Sequence, residues 1–191
     1  MSTRALQAAA ICLEYPDERL LSALPLLRQV APELPPLPRF LDHVARTDLR
    51  ALERDYVETF DLRRRCCPYL TYYTYGDTRQ RGMALLRFTA AYREAGITLV
   101  PGELPDHLAV VCEVAARAPA VGLRLLGEQR VGVELLRTAL AVQDSPYVDV
   151  LDVIRSVLPA ATPRVLDRAR ELAMDGPPVE EVGLEPYGVA R

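Results

Sequence analysis

Apolar residues in this chain recur every three or four positions, in segments that proline or glycine separates, and no run alternates apolar with polar. Three-to-four spacing places side chains on one face of a helix, whereas alternation would mark a half-buried strand. The expected fold class is therefore all-α, a single-domain bundle of about eight helices. Leu6, Ala9, Ala10 and Leu13 mark one face of a first helix that Pro16 ends. Asp17 then caps a second through Leu20, Leu21, Leu24 and Leu27, and the two are expected to form a hairpin.

Pro32, Pro35, Pro36 and Pro38 predict a stiff extended connector. A short helix follows around Phe40, Leu41 and Val44, and Asp48 caps another that places Leu49, Leu52, Tyr56 and Phe60 on one side. The helical pattern lapses between Asp61 and Gly76. Asp77 with Gln80 three residues on is the pattern of a capping box, opening a helix through Met83, Leu86, Ala90 and Tyr92 that Gly96 closes. A hinge loop is expected near residues 96–105, before a helix carrying Leu108, Val111, Cys112 and Ala115. Leu123 to Val142 reads as one long helix or two broken near Gly127. Ser145 with Pro146, and Thr162 with Pro163, each supply an N-cap and an N1 proline for a further helix. Residues 1–175 form the expected helical domain, and the Pro- and Glu-rich residues 176–191 an expected flexible tail.

A chain of 191 residues suits one hydrophobic core. Its net charge of −3 gives no field for collecting nucleic acid phosphates, and charged residues interrupt every apolar stretch before it could span a bilayer. All 23 basic residues are arginine, whose planar fork suits carboxylates. The four cysteines have no framework spacing, which fits a reducing cytoplasm.

The chain has no Gly-rich phosphate loop, no Gly-x-Ser-x-Gly and no His-Glu-x-x-His, and only two histidines, His43 and His107. Cys66 and Cys67 follow Arg63, Arg64 and Arg65, a setting that favours thiolates, although adjacent cysteines are poorly placed for one metal. Tyr56, Phe60, Tyr69, Tyr72, Tyr73 and Tyr75 fall within twenty positions of one another, in a chain with nine tyrosines and three phenylalanines. Core packing accounts for several of them. Tyrosine is also amphipathic and lines grooves that are apolar inside and wet at the rim. Asp77, Arg79 and Arg81 combine a helix start with two guanidinium groups. Glu103-Leu104-Pro105-Asp106-His107 reads as a loop capping the next helix, with Asp106 orienting His107.

At these residues the sequence resembles the delta-subunit assembly chaperones of molybdenum nitrate reductase, the NarJ family, within the wider TorD/DmsD group of redox enzyme maturation proteins. The likeness rests on Leu13-Glu14-Tyr15-Pro16, on Tyr56-Val57-Glu58-Thr59-Phe60-Asp61, on Leu70 through Ala84 and on Glu103 through Leu108. The block from Leu70 to Ala84 is the specific one. The resemblance implies an all-helical cytoplasmic chaperone, catalysing nothing. Such a chaperone binds the N-terminal segment of the catalytic (alpha) subunit and keeps it open for molybdenum cofactor insertion. Contact with the cofactor biosynthesis machinery is a further implied partnership, and no cofactor or metal is held stably.

The expected mode is a client helix laid across a cleft floored by Tyr56, Phe60, Tyr72 and Tyr73, with Tyr69 beside them. Arg79, Arg81 and Asp106 would trim its register at the rim, and Asp77 is counted among the client-binding residues. The Glu103, Pro105, Asp106 and His107 turn corresponds to the group's recognition hinge, and His107 beside Asp106 is expected to make binding pH-sensitive. A rival reading is a thiol-dependent redox or metal-handling protein using Cys66 or Cys67 with His107. A third is a helical regulator or nucleic acid binder using Arg63 to Arg65.

Overall fold

A computed structural model describes residues 2–178, and within them it contains eleven α-helices and no β-strand. The first, α1 (Ser2–Leu13), lies at the centre of the fold with Ala5, Leu6, Ala8, Ala9, Ala10, Cys12 and Leu13 all buried. Its alanines let another alanine-rich helix, α7 (Leu108–Arg117), approach closely, and α10 (Tyr147–Val157) covers a second face. A helix buried over most of its circumference needs a wide apolar face, and α1 and α7 have one, leaving only narrow polar stripes of Thr3, Arg4 and Gln7 and of Glu113 and Arg117 toward solvent. The expected hairpin of the first two helices is thus only a marginal contact. Its second member, α2 (Glu18–Val30), buries just Leu20 and Leu27, and its N-cap Asp17 accepts from the amides of Arg19 and Leu20 as expected.

The proline-rich connector is not extended. A 3-10 turn over Ala31–Glu33 leads directly to α3 (Leu37–Arg46), with Leu34 and Leu37 buried. The fixed φ of proline suits the first turn of a helix, where its missing N–H costs nothing. Asp48 caps α4 (Leu49–Tyr56) through the Ala51 amide at 3.0 Å, and the helix continues as a π turn over Val57–Asp61.

After a 3-10 turn at Arg64–Cys66 the chain forms a six-residue helix, α5 (Leu70–Tyr75), in the stretch where the periodicity lapses. Next comes α6 (Arg79–Glu94), whose capping box does not form. Thr78 holds the N-cap position without a side-chain cap, and Asp77 instead pairs with Arg81 one turn on, at 3.0 Å. The hinge-loop segment lies between α6 and α7, and Tyr92 donates a 2.6 Å hydrogen bond from its hydroxyl to the Pro105 carbonyl within it.

Two further short helices, α8 (Pro119–Glu128) and α9 (Arg130–Val142), break at Gln129, close to the expected Gly127. Gly122 on α8 sits so near Ala115 of α7 that an added Cβ would overlap the Ala115 backbone. The last described helix is α11 (Pro163–Asp175), capped by Thr162 through the Val165 amide. Ser145 does not act as the cap expected for α10, where Pro146 holds that position. The count exceeds the eight expected because the stretch from Leu123 to Val142 is two helices, the second of the two readings it allowed, and because α5 carries too few residues to show a period.

Arginine fixes the helices to one another. On α9 and α10, Glu134 accepts from Arg130 at 2.8 Å and from Arg155 at 3.1 Å, and Arg137 grips both oxygens of Asp152 at 3.0 Å. On α3, Arg39 pairs with the buried Asp149 of α10. These pairs are satisfied on both sides, the condition under which buried charge is tolerated. No described helix is long and apolar enough to cross a membrane. The last described helix ends at Asp175, and residues 179–191 of the expected tail lie outside the described residues.

Candidate functional site

The turn from Glu103 to His107 is stitched to the start of α5 by backbone pairing. Leu70 donates its amide to the Asp106 carbonyl at 3.0 Å and Leu108 donates to Pro68 at 2.9 Å, which makes Tyr69 and His107 an isolated antiparallel bridge. Asp106 is fully buried. Its Oδ2 accepts from the Thr71 amide at 3.2 Å and the Thr71 hydroxyl at 2.5 Å. Residues 35 positions apart are thereby locked together, and Asp106 fastens the turn instead of orienting His107.

His107 has its own task. Its Nδ1 accepts from the Ala109 amide at 3.3 Å as the N-cap of α7, and its ring meets Tyr69 edge-on at 5.2 Å. Burial pushes its pKa below the ordinary histidine value, against the opposing pull of Asp106 and Asp61. Desolvation outweighs the neighbouring carboxylates, which by themselves would favour the charged form. Of the other turn residues, Pro105 is buried under the Tyr92 hydroxyl, while Glu103 and Leu104 face solvent.

The tyrosine cluster divides in two. Tyr56 and Phe60 belong to the core, each about one-twentieth exposed, with ring centroids 4.8 Å apart and Tyr147 packed against both. The Tyr56 hydroxyl donates to the Leu13 carbonyl at 3.1 Å, which ties α4 to the end of α1. These two rings do not floor a cleft, and the expectation that they would is corrected. Tyr56 at the end of α4 and Phe60 in the π turn that continues it face inward because that side carries their apolar residues.

Tyr72 and Tyr73 do line a groove, a cavity of about 670 Å³ bounded by α5, α9 and α11. Leu135, Ala139 and Val142 of α9 form one wall, Leu172 and Met174 of α11 another, and Arg64, Arg65 and Asp77 lie at the edges. Tyr73 is largely buried and donates its hydroxyl to the Arg65 carbonyl at 3.0 Å. Tyr72 is half-buried. Arg81 stands over both Tyr69 and Tyr72, at 5.7 and 5.8 Å from the ring centroids, and its guanidinium reaches Asp77 and comes within 3.9 Å of Asp106. Arg81 thus connects the fastened turn to the groove ring Tyr72, a cation–π arrangement that holds an aromatic side chain in place. Arg79 is exposed on the first turn of α6.

Gly76 sits at the groove floor with φ +57°, and a Cβ there would overlap the Pro178 carbonyl, so both conformation and space require glycine. Gly176, Pro177 and Pro178 themselves line the groove.

None of Glu103, Pro105, Asp106 or His107 lines this cavity, whereas the α9 and α11 wall residues were not singled out from sequence. A signal for them exists. Leu135, Ala139 and Val142 follow i, i+4, i+7 spacing beside a second stripe of Val133, Leu136 and Leu140, which is more apolar surface than one core-facing side needs. Val142 is 81% exposed and Met174 77% exposed, on two walls of the same groove.

The two adjacent thiols are held protonated. Burial raises the pKa of Cys66, whose sulfur accepts from the Gln143 side chain at 3.0 Å, and burial pushes Cys67 up to about 11. Among the described residues no group of three or more His, Cys, Asp or Glu is arranged to hold a metal ion.

The family described as nitrate reductase delta subunit matches residues 24–152. The nitrate reductase-like protein NarX of Mycobacterium tuberculosis is 42% identical over 144 residues, 74% of this chain, and the chain spans only 22% of that protein's length. The probable nitrate reductase molybdenum cofactor assembly chaperone NarJ of Bacillus subtilis is 32% identical over 158 residues, covering 79% of this chain and 86% of the relative. A crystal structure of a protein from Archaeoglobus fulgidus, classed with redox enzyme maturation, superimposes with a TM-score of 0.64 over 82% of this chain and 92% of its own, at 24% identity. That likeness establishes the shared fold.

Proposed function

Because the chain belongs to the nitrate reductase delta subunit family, we propose that it is an assembly chaperone whose client is the catalytic subunit of a respiratory nitrate reductase. It holds the client's N-terminal segment as an amphipathic helix in the groove between α5, α9 and α11. It catalyses no reaction, binds no cofactor of its own, and acts in the cytoplasm while molybdenum cofactor enters the client. The cofactor biosynthesis machinery is the second partner in this reading.

The single observation that carries the choice of site is the exposure of Val142 and Met174 on two walls of one cavity already lined by Leu135, Ala139 and Leu172. Apolar side chains left in water around a concave surface gain most from a partner that removes them from it. Burying on the order of 600 Å² of apolar surface contributes about 15 kcal/mol gross at about 25 cal/mol per Å². Association and ordering costs of roughly 4 to 15 kcal/mol offset most of this, leaving reversible binding suited to a chaperone that must let go.

Tyr72 contacts the client in this mode, Asp77 and Arg79 flank the mouth of the groove, and Arg81 positions Tyr72. Pro105, Asp106, His107 and Tyr69 hold the supporting turn, on which Glu103 faces solvent. The thiol reading is disfavoured because both cysteines are protonated and Cys66 contacts Gln143, not His107. Amide chemical-shift mapping with a synthetic client N-terminal peptide tests the assignment. Perturbations should cluster on Tyr72, Leu135, Ala139, Val142 and Leu172; a cluster confined to α2 and α3 would refute it.

A further inference from the structure

We infer that Asp77 is a positioning residue for client binding that acts through Arg81, holding its guanidinium over Tyr72 and away from Asp106, an inference that rests on the groove reading above. Arg81 has two carboxylates within reach. Asp77, its side chain 78% exposed, accepts from the guanidinium at 3.0 Å. Asp106, fully buried, stands 3.9 Å from it, too far for a hydrogen bond.

The second pairing is left half-made. Among the described residues neither Arg81 Nε nor Asp106 Oδ1 has a hydrogen-bond partner, although both atoms are buried. A buried donor and a buried acceptor left open each cost free energy, and one bond between them would satisfy both. Oδ2 is already taken by the amide and hydroxyl of Thr71, so Oδ1 is the open side of the carboxylate. What opposes the closure is what Arg81 already holds. Its guanidinium lies 5.7 and 5.8 Å from the ring centroids of Tyr69 and Tyr72, and Asp77 anchors it from the solvent side. Closing on Asp106 withdraws the cation from Tyr72, which then is no longer held at the groove wall. The exposed Asp77 arm is weak, so the two arrangements differ little in free energy. A client that contacts Tyr72 favours the one in which that ring is held.

The Arg81 Nε–H resonance in nitrogen-15 spectra of the full chain, assigned by its loss in Arg81→Lys, reports which carboxylate holds the guanidinium. In the unaltered chain it should lie where an N–H without an acceptor does. Asp77→Asn should move it downfield and slow its exchange with solvent. The same variant should bind a synthetic client N-terminal peptide about fivefold more weakly, as the binding-competent fraction falls to about one-fifth. Saturation with that peptide should return the resonance to its first position, and Asp77→Glu should keep both readings of the unaltered chain. Adding Asp106→Asn to Asp77→Asn should restore the affinity, because a neutral amide draws the guanidinium less strongly than a carboxylate. A resonance already downfield in the unaltered chain overturns the inference, as does one that Asp77→Asn leaves unmoved. A loss of affinity that survives in the double variant also overturns it, because Asp77 would then touch the client itself. The resonance is read without client, so if no client peptide binds in the groove the functional reading falls, while the response to Asp77→Asn still decides what holds Arg81.

Discussion

One oxygen of Asp106 accepts both the backbone amide and the hydroxyl of Thr71, joining the turn before α7 to the first residues of α5 across the buried interior. Asp106→Ala strips a buried N–H of its acceptor and should cost about 2 to 3 kcal/mol in urea denaturation. Because Asp106 lies outside the groove, client-peptide affinity of the folded variant should fall less than about threefold. A large loss of affinity at unchanged stability would mean that Asp106 touches the client.

The two halves of the tyrosine cluster should separate cleanly. Phe60→Ala, in the core beside Tyr56 and Tyr147, is expected to destabilise the fold by about 3 to 5 kcal/mol. Tyr72→Ala, half-buried at the groove, should cost about 1 kcal/mol of stability but weaken client binding tenfold or more. Denaturation and titration of both variants check this pair.

Stability should depend on pH through His107. Its folded pKa is depressed by burial, so as pH falls the unfolded chain takes up the proton first, near about 6.5, while the folded chain resists. The contribution is present above that value and is lost progressively below it. His107→Asn retains an N-cap acceptor for α7 but cannot titrate, and should flatten the stability profile between about pH 5 and 6.5. An unchanged slope in the variant counts against this assignment.

The protonated thiols predict that Cys66→Ser with Cys67→Ser leaves nitrate reductase maturation intact in a host lacking its own chaperone, measured as active enzyme per client chain. Loss of maturation with the fold preserved would revive a redox role.

The buried arginine clamp offers a further check. Glu134→Ala leaves Arg130, itself buried, without its main partner and removes one of the two carboxylates that hold Arg155, so a loss of about 3 kcal/mol is expected in thermal or urea unfolding.

The helical class was legible because spacing such as Leu6, Ala9, Ala10 and Leu13 has one structural meaning, and caps at Asp17, Asp48 and Thr162 form as their chemistry dictates. The features that sequence did not reveal depend on tertiary context. The same amphipathic ring fills a core at Tyr56 and lines a groove at Tyr72, and the packing of Phe60 and Tyr147 around Tyr56 decides between them. Asp106 reads as the orienter of His107 unless it is known that the fold brings Thr71 to it from 35 residues away. The groove walls on α9 and α11 were hidden because extra apolar residues on a helix read as core unless it is known which faces the neighbours cover.

Calorimetric titration of the full chain and of its Val142→Asp variant, with a peptide of about the first twenty client residues, tests the central claim most directly. Micromolar or tighter binding with a negative heat-capacity change is expected for the unaltered chain, with affinity at least about thirtyfold weaker in the variant. Equal affinity in a variant that remains folded would place the client elsewhere on the molecule.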